Sequence, residues 1–206
     1  MQPTDHWNTV YSTKAANAVS WYQEHAAVSL RLIRATGAVA DSSIIDVGGG
    51  ACTLVDDLLA GGFHAVTVLD LSGAALSAAR DRLGPRASEV HWLEADITQT
   101  TLAARAYDVW HDHAVFHFLT AAEDRSAYVR AALHALKPAG HLIVATFAED
   151  GPTRCSGLPI IRYSAAEMHA AFGERFELLH HEKEAHITPF GTVQQFVYCH
   201  YRIVGS

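Results

Sequence analysis

The stretch Ile44-Ile45-Asp46-Val47-Gly48-Gly49-Gly50 limits the folds open to this chain more than any other. An apolar run interrupted only by Asp46 empties into three glycines, and Ala51-Cys52-Thr53-Leu54 then opens a helix-like pattern. A buried parallel strand hands the chain to a helix in this way, across a turn whose missing side chains let a nucleotide-type ligand approach the backbone. The next apolar run, residues 65–69, closes on Asp70, 24 residues after Asp46. A parallel α/β unit places there the carboxylate that takes a ribose hydroxyl pair.

The rest of the chain repeats the alternation. Residues 53–60 read as a helix ended by Gly61-Gly62, and residues 63–70 as the second strand. Residues 72–83 read as a helix with Ser72 as its cap and Gly84-Pro85 as its stop, and residues 90–93 as a third strand before Asp96. Val109 and Trp110 carry a fourth strand, which puts His111-Asp112-His113 and His117 at its carboxyl end, over the same crevice as Gly48 and Asp70. Residues 121–136 form a helix stopped by Lys137-Pro138-Ala139-Gly140, and residues 141–147 a fifth strand. Beyond a loop over 148–164 come a short helix at 164–172 and two alternating segments, 176–182 and 194–203, joined by residues 186–192. Ahead of the first strand, Val19, Tyr22, Ala26, Leu30 and Ile33 recur at three- and four-residue steps and predict one helix over 15–33.

The order Asp46-x-Gly48-x-Gly50 resembles the first motif of class I S-adenosylmethionine-dependent methyltransferases. In a dinucleotide dehydrogenase the third glycine would fall at position 53, which holds Thr53. Ala95-Asp96-Ile97 matches the acid these enzymes set against the adenine amino group, and Lys-Pro-x-Gly before an apolar strand is also familiar in them. The resemblance covers about residues 40–150. It implies an α/β fold: a doubly wound, mostly parallel seven-stranded sheet with helices on both faces and an antiparallel C-terminal strand. It implies S-adenosylmethionine as cofactor, bound by Asp46, Gly48, Gly50, Asp70 and His111. Asp70 would accept from the ribose hydroxyls, Asp96 would face the adenine amino group, and Leu71 and Ile97 would sandwich the base. Trp7, Tyr11 and the pair Trp21-Tyr22 resemble the N-terminal lid of a subgroup that includes thiopurine and some protein lysine methyltransferases. Trp21 and Tyr22 are accordingly expected to close over the donor.

Composition narrows the partners. A chain of 206 residues, half of them hydrophobic, is one domain: a helical lid over 1–40, a donor-binding core over 41–147, a substrate loop over 148–164, and a C-terminal helix and strand pair over 165–206. Fifteen basic against 22 acidic residues, net −7, disfavour nucleic acid as the partner. No apolar run is long enough to span a membrane, and the first residues lack a signal core, so a cytoplasmic monomer or homodimer acting on a small molecule is expected. Cys52, Cys155 and Cys199 have no CxxC spacing, and the histidines have no second cluster, so neither a disulfide framework nor a metal site is expected.

Methyl transfer from a sulfonium needs positioning more than a strong base. If the acceptor brings a proton, His113 is the expected catalytic base, with His117, Arg154 and Cys155 on the substrate side. The expected activity is methylation of a small-molecule thiol or nitrogen. A protein lysine is the alternative, weakened because His111-Asp112-His113-Ala114 stands where some lysine enzymes carry an Asp-Lys-Gly-type segment. A noncatalytic donor-binding protein is the remaining possibility.

Overall fold

The computed structural model describes residues 3–13 and 16–205. Its centre is a seven-stranded sheet built from β1 (Ile44–Val47), β2 (Val66–Asp70), β3 (Val90–Glu94), β4 (Tyr107–His113), β5 (Leu136–Phe147), β8 (Phe176–Ile187) and β9 (Val193–Ile203), in the order β3-β2-β1-β4-β5-β9-β8. The first five strands are parallel, and β9 runs antiparallel to both β5 and β8. A two-stranded hairpin, β6 (Arg154–Cys155) with β7 (Leu158–Pro159), stands in the loop after β5.

Alternation along the buried strands sends successive side chains to opposite faces, so both faces need a cover. Ile44, Val66, Val109 and Ile143 pack under α2 (Ala27–Ala35) and α3 (Leu54–Ala60), with Leu76 of α4 (Gly73–Leu83) in the same cluster. Ile45, Trp110, Leu142 and Val197 pack under α5 (Ala122–Ala135) and α6 (Ala165–Phe172). Ser72 caps α4 by accepting from Ala75 N, and Ser164 with Glu167 forms a reciprocal capping box on α6. Among the described residues no helix is long and apolar enough to cross a membrane.

The N-terminal segment departs from expectation. Residue 15 lies outside the described residues, and the remainder of the expected helix is broken into a 3-10 turn (Ala16–Ala18), an irregular stretch, and α2, preceded by α1 (Pro3–Thr13). The irregular stretch spends its backbone groups on tertiary partners. His186 Nε2 donates to Ser20 O (2.7 Å), Thr53 Oγ1 to Gln23 O (2.9 Å), and Ala26 N to Asp57 Oδ2 (2.9 Å). Asp57, in the first turn of α3, thus caps α2 from another element, and Asp56 pairs with Arg82. The Lys137-Pro138-Ala139-Gly140 stop falls inside the span of β5, as a kink with Ala139 at φ 59° where pairing skips from Tyr107–Leu136 to Val109–His141. The terminal strands run longer than the sequence pattern, because the hairpin pairs out to Ile187↔Val193.

Candidate active site

The site is built where β1 and β4 run side by side, with Asp46 in register with His111. Both side chains are buried, and His111 Nδ1 lies 2.7 Å from Asp46 Oδ1, leaving His111 Nε2 with no partner. Alternation then sorts the rest of β4. His111 and His113 share the face of Asp46, whereas Asp112 points to the other face and to α5.

The turn after β1 leaves no room for a Cβ at any of its three glycines: at Gly49 it would collide with the Asp46 carboxylate, and at the other two the backbone is also left-handed. Gly48 has φ +73°, and a Cβ there would collide with Val115 Cγ2; Gly50 has φ +23°, and its Cβ would collide with Asp70 Oδ2. Arg82 holds the turn from outside by donating to Ala51 O (2.8 Å) and Cys52 O (2.6 Å). Asp70, at the end of β2, accepts from Ser72 N (2.8 Å), yet burial pushes its carboxyl up to about 7 against that bond.

A cleft of about 680 Å³ opens above these strand ends. Asp70, Leu71, Asp96 and Ile97 line one part of it, and Gly48, His113, Val115 and Phe118 another. Asp96 accepts from Thr98 N and Oγ1 and from Gln99 Nε2 (2.7–2.8 Å), which fixes the turn that presents Ile97. A smaller pocket of about 30 Å³ lies beside it, lined by Tyr22, Gln23, Ser29, Asp46 and His111; Trp21, Gly48, Cys52 and His113 border both spaces.

α1 and the β6–β7 hairpin roof the cleft. Asn8 Oδ1 accepts from Ser72 Oγ (2.7 Å) and Ala74 N (3.3 Å), which seats α1 on the start of α4. His6 Nε2 lies 3.3 Å from Ser156 Oγ and joins the two roof pieces. Trp7 packs edge-on against Trp21 and Phe118, with ring centroids 5.8 and 5.2 Å apart, and Tyr11 lies beside both tryptophans. All four rings line the cleft.

The residues expected on the acceptor side separate. His113 reaches the cleft, stacked on Phe196 with centroids 4.7 Å apart, its Nε2 without a partner. Burial, with His111, His186 and His117 nearby, drives its imidazole down to about 3. His113 thus meets the cleft as a neutral imidazole with one ring nitrogen free of protein partners. His117 is fully buried and lines neither space; Phe147 N donates to its Nδ1 (3.3 Å), and burial lowers it to about 3. Arg154 is exposed and donates to Gly157 O within its own hairpin. Cys155 does line the cleft, where burial pushes its thiol up to about 12 and so favours the un-ionised form.

Three contributors escape a reading of the sequence. Asp112 is fully buried and accepts from Val115 N (2.8 Å), Phe116 N (3.1 Å) and Tyr128 OH (2.6 Å), while Trp110 Nε1 donates to the same phenol. It folds the turn after β4, with Ala114 at φ 71°, so that Val115 and Phe118 face the cleft. Arg82 and Val115 brace the glycine turn from two sides, and neither belongs to a motif. Only the four-residue spacing of Trp7 and Tyr11 signals an aromatic face in advance.

Residues 44–140 match the family model described as "Methyltransferase domain". No curated protein matches the chain. Among solved structures, an S-adenosylmethionine-dependent methyltransferase from Anabaena variabilis is similar, with 16% identity, 99% of this chain and 96% of that one covered, and a TM-score of 0.73. The N-methyltransferase NodS from Bradyrhizobium japonicum in complex with S-adenosyl-L-homocysteine gives 18%, 98%, 100% and 0.72. The 1,6-didemethyltoxoflavin-N1-methyltransferase of Burkholderia thailandensis gives 18%, 98%, 84% and 0.69.

Proposed function

We propose that the chain is a class I S-adenosylmethionine-dependent methyltransferase, with S-adenosylmethionine as its methyl donor, and that it methylates a small-molecule nucleophile, a thiol or a nitrogen; the methyltransferase-domain match over residues 44–140 and the shared fold support this reading. The observation that carries this reading is the roof. The donor cleft is closed from above by α1 and the β6–β7 hairpin, joined through His6 and Ser156, which suits a small molecule and hinders a lysine presented on a protein surface.

The residues fit the donor. The glycine turn leaves room where a Cβ would strike Val115 or Asp70. Asp70 takes the ribose hydroxyls, Leu71 and Ile97 bracket the base, and Asp96 stands at its amino edge. The donor's amino-acid end is assigned to the small pocket, where His111 Nε2, its ring oriented by Asp46, lacks a partner. Trp21 and Tyr22 close that end. The bound donor supplies an electrophilic methyl on a cationic sulfur; the protein's part is to hold the acceptor in line with it and to exclude water.

Asp70→Ala should weaken S-adenosylhomocysteine binding at least tenfold by calorimetry, since each charge-assisted bond to a buried carboxylate contributes roughly 1.5–3 kcal/mol. Labelled donor incubated with cell extract should then mark the small-molecule fraction. Label confined to protein would overturn the small-molecule reading.

A further inference from the structure

Histidines that show no clustered spacing in the sequence are gathered by strand pairing at the end of the sheet away from the cleft. β5, β9 and β8 lie side by side there, and His141, His200 and His180 stand on one face of them. His141 Nδ1 lies 2.9 Å from His200 Nε2, although 59 residues of chain separate the two. His180 stands directly opposite His200 because of a bulge in β8. Glu177 and Leu178 pair with Arg202 and Tyr201, and the register then shifts by one at His180. Without the extra residue Leu179 would face His200, and His180 would turn to the opposite face. The shift leaves Leu179 42% exposed.

A hydrogen bond between two neutral imidazoles uses one N–H and one lone pair, but the same spacing suits a metal. Bonds to imidazole of about 2.0–2.1 Å set two cis ligands of a square-planar ion about 2.9 Å apart, against about 3.3 Å for a tetrahedral one. Copper(II) heads the affinity order of the divalent first-row ions for such a nitrogen set. The nearby arginines are not free cations, since Arg202 pairs with Glu177 and Arg31 with Glu182.

We propose that His141 and His200 chelate a divalent transition-metal ion of square-planar preference, copper(II) foremost, with His180 turning in as a third ligand and water completing the set. The site lies apart from the cleft and does not depend on the methyl-transfer reading. Among the described residues no three ligating groups already meet at one point, so binding tilts His141 and swings His180. Both have room to move. His141 is half-buried and His180 exposed, and Glu182 Oε1 stands 3.9 Å from His180 Nε2, too far for a hydrogen bond to hold the ring. The bound ion fastens the terminal strand pair to the parallel part of the sheet.

The test titrates copper(II) chloride into protein stripped of metal by a chelator, in a non-coordinating buffer, followed by calorimetry and electron paramagnetic resonance. The first ion should give an axial spectrum split by imidazole nitrogens. His200→Gln and His141→Gln should each weaken that step at least tenfold, and His180→Gln by a smaller factor. His181→Gln, beside His180 in sequence but paired with Cys199 on the other face, should leave it unchanged. One equivalent of copper(II) should raise the Tm of wild type and not that of His200→Gln. Circular dichroism checks that the variants fold; should His200→Gln not, His141→Gln, which alters a half-buried side chain, carries the same comparison. Equal affinity in wild type and His141→Gln, an equal loss in His181→Gln, or a first ion without nitrogen splitting would overturn the inference.

Discussion

Asp70 joins the sheet to the cleft, and its protonation should govern donor affinity. Its carboxyl titrates near 7 in the free protein because burial penalises the charge. The ribose hydroxyls, shared by the donor and S-adenosylhomocysteine, donate to the ionised form and favour it, so binding below that pH must first expel a proton. The affinity of wild type for S-adenosylhomocysteine should therefore fall as pH drops from about 7.5 to 5.5, approaching tenfold per pH unit at the acid end. Asp70→Asn should bind more weakly at pH 7.5 and lose this slope. Calorimetry across the range checks both, and an unchanged slope in the variant would assign the titration to another group.

At the level of elements, the glycine turn has the least tolerance. Gly50→Ala places a methyl on Asp70 Oδ2 at a positive φ, so both the turn and the carboxylate must move. We expect Tm to fall by at least ~3 °C and donor binding to drop more than tenfold. Gly62→Ala is the control: it also sits at positive φ, but nothing lies within 4 Å of its Cβ, so it should lose some stability and keep donor binding. Elements closed by local chemistry are the ones legible in the sequence. The glycine stop of α3, the Ser72 cap and the apolar strands ending in acids need no knowledge of distant residues. The break in residues 16–26 is invisible there, because side-chain periodicity does not report that Thr53, Asp57 and His186 will take the backbone bonds. The contact of Asp46 with His111 is likewise hidden. The two are 65 residues apart, and only the placement of β4 beside β1 brings them together.

Across the whole molecule, buried titratable groups oppose one another. Asp70 and Asp112 titrate at about 7 and 6, above their ordinary value, so the folded state holds their protons more strongly and gains stability as pH falls from neutrality toward 4. His113 and His117 are lowered to about 3, so the unfolded chain takes up their protons first and stability falls below pH 6.5. The two pairs offset each other. His117→Phe removes one opposing member, and each pKa unit is worth about 1.4 kcal/mol. Between pH 6.5 and 4.5 the Tm of this variant should fall by roughly 5 °C less than that of wild type, or rise. Parallel melting curves for the two proteins would refute the assignment.

The roof has its own consequence for how the molecule opens. Of the described side chains in α1 only Val10 is buried, and the helix is held by the aromatic cluster of Trp7 and Tyr11 with Trp21 and Phe118 and by the polar ties of Asn8 and His6. A segment attached through one such patch, outside the two sheet-covering clusters, separates from the body at a small fraction of the global unfolding free energy. Its amides should exchange with deuterated solvent long before those of β1 and β4. S-adenosylhomocysteine, filling the space beneath, should slow exchange in α1 several-fold and leave the slowest sheet amides nearly unchanged. Entry to the cleft then becomes a local melting event, and the ligand adds contact surface beneath this helix.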